Sequence, residues 1–64
     1  MDEIQTVIIE ENAQLIIDKL QSYWRAVIRN DQFGEIVDAT SDDFEGLLDA
    51  LNTNCGEWLA EAGE

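Results

Sequence analysis

Eight apolar residues in the C-terminal part of the chain recur with the period of an α-helix. At about 100° per residue they fall within an arc of roughly 120°. They are Phe44, Leu47, Leu48, Leu51, Cys55, Trp58, Leu59 and Ala62. This pattern predicts an amphipathic helix over residues 41–62, with Thr40 or Ser41 as its N-cap and Gly63 at its C-terminal cap. Residues 52–54 are a point at which the helix could divide into two shorter ones.

A second apolar stripe runs through residues 9–29 with alternating intervals of four and three. Its members are Ile9, Ala13, Ile16, Leu20, Tyr23 and Val27. Because this spacing places all six on one side of a helix, a long helix ending at Asn30 and Asp31 is predicted. Residues 4–9 could continue that helix or form a strand, and the helix is preferred because a single strand would have no partner.

Together these segments predict a single all-α domain over residues 1–64, built as a helical hairpin or a three-helix mini-bundle. A chain of 64 residues buries only about 60% of its unfolded surface. With one cysteine and no histidine, it has neither an internal disulfide nor a structural zinc site to add stability. A partner chain is therefore expected to add stability: a homodimer that completes a four-helix bundle is the simplest assembly, and a target protein is the alternative.

Negative charge is concentrated in the second half of the chain. Fifteen Asp and Glu residues outnumber three Lys and Arg residues, which gives a net charge of −12. Residues 1–30 carry five acids and three bases, whereas residues 31–64 carry ten acids and no base. This charge favours a basic protein surface as partner and disfavours nucleic acid and anionic membranes. The alternative is that acidity only confers solubility.

Acidic residues at intervals of four, three and four predict a ridge of carboxylates on the second helix. The ridge consists of Asp38, Asp42, Glu45 and Asp49. Neighbours would rise about 4.5–6 Å along the axis, which approximates the phosphate row of one duplex strand. Asp43, Glu57 and Glu61 complete the predicted carboxylate site. The alternative is an ordinary solvated surface.

Trp24 is the predicted aromatic anchor of this partner-binding site. It follows Tyr23 directly, so the two side chains point in different directions on a helix, and Arg25 follows it. Protein interfaces favour aromatic residues and arginine. The alternative for Trp24 is ordinary core packing.

No catalytic, cofactor-binding or metal-binding residue is predicted. Cys55 lies within the apolar arc and the chain has no histidine to act as its base, so a buried, unreactive thiol is expected. A calcium loop beginning at Asp38 would place Asp43 where glycine is required. The acidic start of the chain and the absence of a long apolar run predict a cytoplasmic protein without a signal peptide or membrane span.

The predicted function is a non-enzymatic inhibitor that presents carboxylates to the cationic site of a nucleic-acid-binding protein or complex, as a nucleic-acid mimic. In small size, acidity and lack of catalytic groups, the chain resembles phage-encoded anti-restriction and anti-CRISPR proteins in general composition. One alternative is a helical homodimeric adaptor or regulatory protein that acts through its apolar helix faces. Another is a regulatory segment that folds when it binds a groove.

Overall fold

The computed structural model describes residues 2–62 and shows an α+β fold. The elements follow in the order α1 (Asp2–Glu10), β1 (Gln14–Lys19), β2 (Trp24–Asn30), β3 (Gly34–Ser41) and α2 (Phe44–Ala62). The strands form an antiparallel meander with the spatial order β1-β2-β3. The predictions of an all-α domain, a helical hairpin, a three-helix mini-bundle and a four-helix bundle are therefore wrong.

One face of the sheet packs against both helices and forms the core. The largest fully buried side chains are Ile28 from β2, Val7 from α1, and Leu47, Leu51 and Cys55 from α2. The opposite face of the sheet, called the outer face below, carries Arg25, Val27 and Arg29 of β2, and neither of the two helices described within residues 2–62 packs against it. This division is common in antiparallel sheets with one solvated face.

The predicted helix over residues 9–29 is replaced by the end of α1, a turn and the β1–β2 hairpin. α1 ends because Asn12 adopts a left-handed conformation (φ 50°). The Ala13 amide donates to the Ile8 carbonyl (3.0 Å), and the Asn12 amide donates to the Ile9 carbonyl (3.4 Å). This is the Schellman pattern, which closes a helix C-terminus. The expectation that residues 4–9 are helical is confirmed.

The strands themselves follow from the residue types of this region. The apolar runs of β1 and β2 are rich in β-branched residues, which pack well on a pleated sheet and lower helix propensity. A run such as Ile16-Ile17 supplies an apolar residue to each face, so the residues that matched a helical stripe are also compatible with two strands.

Residues 30–37 turn the chain from β2 into β3. The Asn30 side chain accepts a hydrogen bond from the Phe33 amide (2.8 Å) and donates one to the Glu11 carbonyl (2.8 Å). Gly34 has φ +76°, a conformation that glycine adopts at low cost. A β-bulge then shifts the register, since Ile28 pairs with Val37 while Arg29 pairs with Glu35.

The C-terminal helix was correctly located, but its beginning and its continuity differ from the prediction. The N-cap is Asp43, whose carboxylate accepts a hydrogen bond from the Gly46 amide (2.6 Å), so neither Thr40 nor Ser41 caps the helix. The helix continues without a break through residues 52–54. Gly63 lies outside the described residues. None of the helices within residues 2–62 is long and apolar enough to cross a membrane.

Candidate protein-binding site

The packing of α2 determines which of its acidic residues face solvent. Leu47, Leu51 and Cys55 are fully buried on the side of α2 that faces the core. Four exposed carboxylates lie away from these residues and are called the carboxylate row below. They are Glu45, Asp49, Glu57 and Glu61. At 1.5 Å and 100° per residue, the row extends over about 24 Å and consists of two i, i+4 pairs, each with about 6 Å of rise, that are offset by about 120° around the helix.

The predicted ridge that began at Asp38 does not exist as one helical row. Asp38 lies in β3 and Asp42 lies in the turn before α2, so only Glu45 and Asp49 of the predicted four share the helix. Asp43 serves as the N-cap, where its carboxylate satisfies a backbone amide at the helix start. The four predicted members are separated because the strand and the turn precede the helix.

A surface depression between β3 and the end of α2 is lined by three of the predicted acidic residues, although the Asp38 carboxylate itself lies near Arg25 on the outer face. This acidic depression is lined by Ile36, Val37, Asp38, Asn54, Glu57, Trp58 and Glu61. Trp58 is half-buried there, between Glu57 and the apolar residues of β3. A second depression on the other side of Trp58 is lined by Phe33, Glu35 and Ile36. Carboxylates beside an indole ring form an environment that suits a cationic side chain.

The basic residues lie in the first two strands, where they compensate acidic residues of the sheet and not those of α2. The Arg25 guanidinium lies 3.4 Å from the Glu35 carboxylate and 3.9 Å from that of Asp38. Arg29 is the cross-strand neighbour of Glu35 on the same outer face. Within residues 2–62, no member of the carboxylate row forms a salt bridge. The exposed side of α2 is therefore negative without local compensation.

Trp24 is a packing residue rather than the exposed anchor that was predicted. It lies half-buried on the core-facing side of β2, and its ring meets that of Phe44 edge-on with centroids 5.2 Å apart. The Lys19 ammonium lies 5.6 Å from the centroid of the indole. Trp24 thus joins β2 to the first turn of α2. Arg25, the next residue, points to the outer face because side chains alternate along a strand.

Two asparagines of α2 have structural roles that the sequence patterns did not reveal. The Asn52 side chain accepts hydrogen bonds from the amides of Glu3 (3.2 Å) and Ile4 (3.4 Å) and donates one to the Glu3 carboxylate (3.1 Å). It therefore satisfies free amides at the start of α1. The Asn54 side chain donates to the Asp38 carbonyl (2.7 Å), which ties α2 to the outer edge of β3.

Cys55 is buried, and its thiol is not activated as a nucleophile. Its exposed fraction is 0%, and desolvation raises the pKa of the thiol, with a smaller contribution from the charge of Glu3. A raised pKa keeps the thiol protonated, whereas nucleophilic cysteines are thiolates. Among the residues that the structure describes, no group of three or more His, Cys, Asp or Glu side chains is placed to hold a metal ion.

The sequence patterns did not identify Trp58 as part of this surface. The sequence pattern assigned it to the core, since it lies on the apolar arc of α2, but the structure leaves it half-buried at the acidic depression. The fold places an aromatic ring beside acidic residues from two elements, and no local sequence pattern reports such a contact. Comparison with known proteins finds no matching family model, no matching curated protein and no matching solved structure.

Proposed function

We propose that this protein is a non-enzymatic binding protein that holds a basic side chain of a partner protein in the acidic depression. The observation that carries the proposal is the placement of Glu57 and Glu61 beside Trp58 in the depression, which Asp38 of β3 also lines. An arginine or lysine placed there would contact carboxylates and the face of an indole, both of which attract cations.

The carboxylate row extends this contact along the partner. Its members carry no salt bridge within residues 2–62, so a cationic surface would relieve repulsion between carboxylates four residues apart. The apolar residues of α2 are used by the core, through Leu47, Leu51 and Cys55. This favours contact through charge over an adaptor that acts through its apolar helix faces.

The proposed partner is a protein whose own cationic site binds nucleic acid. A duplex strand carries one phosphate charge per 3.4 Å of axis, and the paired carboxylates of the row recur about every 6 Å. Each i, i+4 pair of the row therefore reproduces part of the charge density of a phosphate backbone. Binding at such a site would exclude nucleic acid and inhibit the partner.

A labelled arginine-rich peptide tests the depression directly. We expect the wild-type protein to bind the peptide in a fluorescence anisotropy titration, with affinity that falls as salt screens the charges. The double variant Glu57→Gln/Glu61→Gln should bind about tenfold more weakly, which corresponds to a loss of about 1.4 kcal/mol.

The matched control is Glu10→Gln/Asp31→Asn, which removes the same charge from two exposed residues that do not line the depression. It should change the affinity by less than about twofold, since general attraction to a negative protein is weak once screened. Equal losses in both double variants would contradict a specific site. A second experiment tests the proposed class of partner. Proteins from a nuclease-treated extract are captured on the immobilised chain, and duplex DNA is then added. Elution by the DNA is expected if the captured protein uses the same cationic site for nucleic acid.

A further inference from the structure

β1 leaves one row of its backbone groups at the edge of the sheet. The Leu20 amide donates to the Tyr23 carbonyl (2.8 Å), and in an antiparallel pair the backbone direction alternates from residue to residue. Residues 14, 16 and 18 therefore direct their amides and carbonyls towards β2. Leu15, Ile17 and Lys19 direct theirs away from the sheet, where no other described element pairs with them.

The opposite edge of the sheet is protected. The outward-facing Asp38 carbonyl of β3 accepts a hydrogen bond from the Asn54 side chain, and the bulge at Ile36 interrupts the strand. Proteins commonly protect sheet edges by covering them or by bulges, because a bare edge pairs with another strand. The β1 edge lacks these two forms of protection.

The side chains of β1 are symmetric in polarity about Ile16. Gln14 and Asp18 are polar, and the three residues between them are apolar. Ile16 on the outer face and Ile17 on the core-facing side are each 36% exposed. An antiparallel pair centred on Ile16 would place Leu15 of one copy opposite Ile17 of the other. We infer that two copies of this chain associate through their β1 strands in this register and form a continuous six-stranded sheet.

The residues in and beside β1 favour pairing centred on Ile16 over pairing centred on Ile17. Centring on Ile16 places Gln14 opposite Asp18, and it places Lys19 opposite Ala13, two residues after Glu11 of the other copy. Centring on Ile17 would instead set Ile16 against Asp18. Like charges are thus kept apart across the junction, and apolar residues meet apolar residues, the pairing that stabilises antiparallel strands.

The hydrogen bonds of the junction follow from the same register. The two Leu15–Ile17 pairs would each exchange two backbone hydrogen bonds, whereas the two Ile16 residues would form a pair without hydrogen bonds, with Cα atoms about 4.5 Å apart. The carboxylate row of each copy lies on α2, which packs on β3, away from the junction. The inference does not depend on the proposed cationic partner.

Sedimentation equilibrium over a range of concentrations tests the association. We expect the wild-type chain to approach twice the monomer mass at high concentration. Added salt should strengthen this association by screening the net charge of −12 on each copy, whereas it weakens binding to a basic partner. A wild-type protein that stays monomeric at millimolar concentration and high salt would overturn the inference.

Two variants locate the interface. A synthetic chain with an N-methyl group on the Ile17 amide loses a donor at the β1 edge and should be monomeric, with the circular dichroism of the wild type. Ile16→Lys should also be monomeric, while Ile9→Lys, the same change at a residue that is 70% exposed on α1, should associate normally. Association that survives N-methylation would overturn the inference.

Cross-linking tests the register. The Cα separation expected for the two Ile16 residues lies within the 4.4–6.8 Å range of disulfides. Ile16→Cys should therefore form an intermolecular disulfide under mild oxidation, and Ile17→Cys should form it at least tenfold more slowly. Native Cys55 is fully buried and does not compete. Equal rates for the two variants would overturn the proposed pairing.

Discussion

α2 and β1 differ in how their side chains are divided between the core and solvent. α2 buries Leu47, Leu51 and Cys55 completely, and all the charged residues it exposes are carboxylates. β1 buries none of its side chains completely, and it exposes isoleucines on both faces. The helix is therefore held by its side chains, whereas the strand is held mainly by its backbone hydrogen bonds to β2.

This difference gives the two elements different surfaces for binding. The charged residues exposed on α2 are all negative, so this side of the helix repels a second copy of itself and attracts a cation. Besides the polar residues near its ends, β1 exposes two isoleucines and unpaired backbone groups, which match a second β1 strand. The division between core and solvent thus determines which kind of partner each element can bind.

The largest expected effect is on the free energy of unfolding, because α2 contributes more buried side chains to the core than β1 does. Leu51→Ala on α2 should lower the free energy of unfolding by about 3 kcal/mol, because it leaves a cavity among fully buried side chains. Ile17→Ala on β1 should lower it by only about 1.5 kcal/mol, because Ile17 is 36% exposed and already partly hydrated. Urea unfolding followed by circular dichroism, at a concentration where the chain is monomeric, measures both. Equal losses would show that β1 is part of the core.

A smaller effect is expected at the contact between α2 and α1. Asn52→Ala removes the side chain that satisfies the amides of Glu3 and Ile4, and such a loss at a helix start costs about 1 kcal/mol. Thr53→Ala, at the exposed neighbouring position, should change the free energy of unfolding by less than about 0.5 kcal/mol. The same urea titration compares them. If the two variants were equally stable, the Asn52 hydrogen bonds would contribute nothing to the docking of α1.

The same difference between α2 and β1 explains what the sequence could predict of the fold. α2 was predictable because it buries one side only, so its apolar residues keep a helical period over five turns. Its start was placed too early, because Thr40, Ser41 and Asp43 are all good N-caps and only the course of β3 selects Asp43. Residues 14–30 were assigned wrongly because both faces of the hairpin carry apolar residues, which blurs the period of two. Their β-branched content and the asparagines at the turns were the better signals.

The candidate site was predictable only in part for a related reason. The acidic residues of α2 were identified, since charge and helical position are local properties. Asp38 was assigned to the same ridge, but its partners depend on strand pairing, which places it near Arg25 on the outer face. The depression around Trp58 joins β3 to α2, and the β1 edge exists only because three strands form an open sheet. Both features arise from tertiary structure.

The smallest expected effect tests whether charge acts locally on α2 and β1. Asp49→Lys and Asp18→Lys each change the net charge from −12 to −10, so any relief of overall repulsion is the same in both. On α2, a lysine at position 49 would lie four residues after Glu45, an orientation that stabilises a helix by about 0.2–0.5 kcal/mol. On β1, a lysine at position 18 would face Arg25, its cross-strand neighbour, and like charges at that position destabilise the pair by about 0.5 kcal/mol.

We therefore expect opposite signs from two variants of equal net charge. Urea unfolding at low ionic strength should show a small gain for Asp49→Lys and a small loss for Asp18→Lys, and both should shrink as salt is added. If both variants were stabilised equally, overall repulsion would outweigh local placement, and the carboxylate row would be only part of a diffuse negative field. If the two variants change the free energy of unfolding in opposite directions, the uncompensated negative charge lies on α2 itself. Binding of a basic partner along this helix requires this.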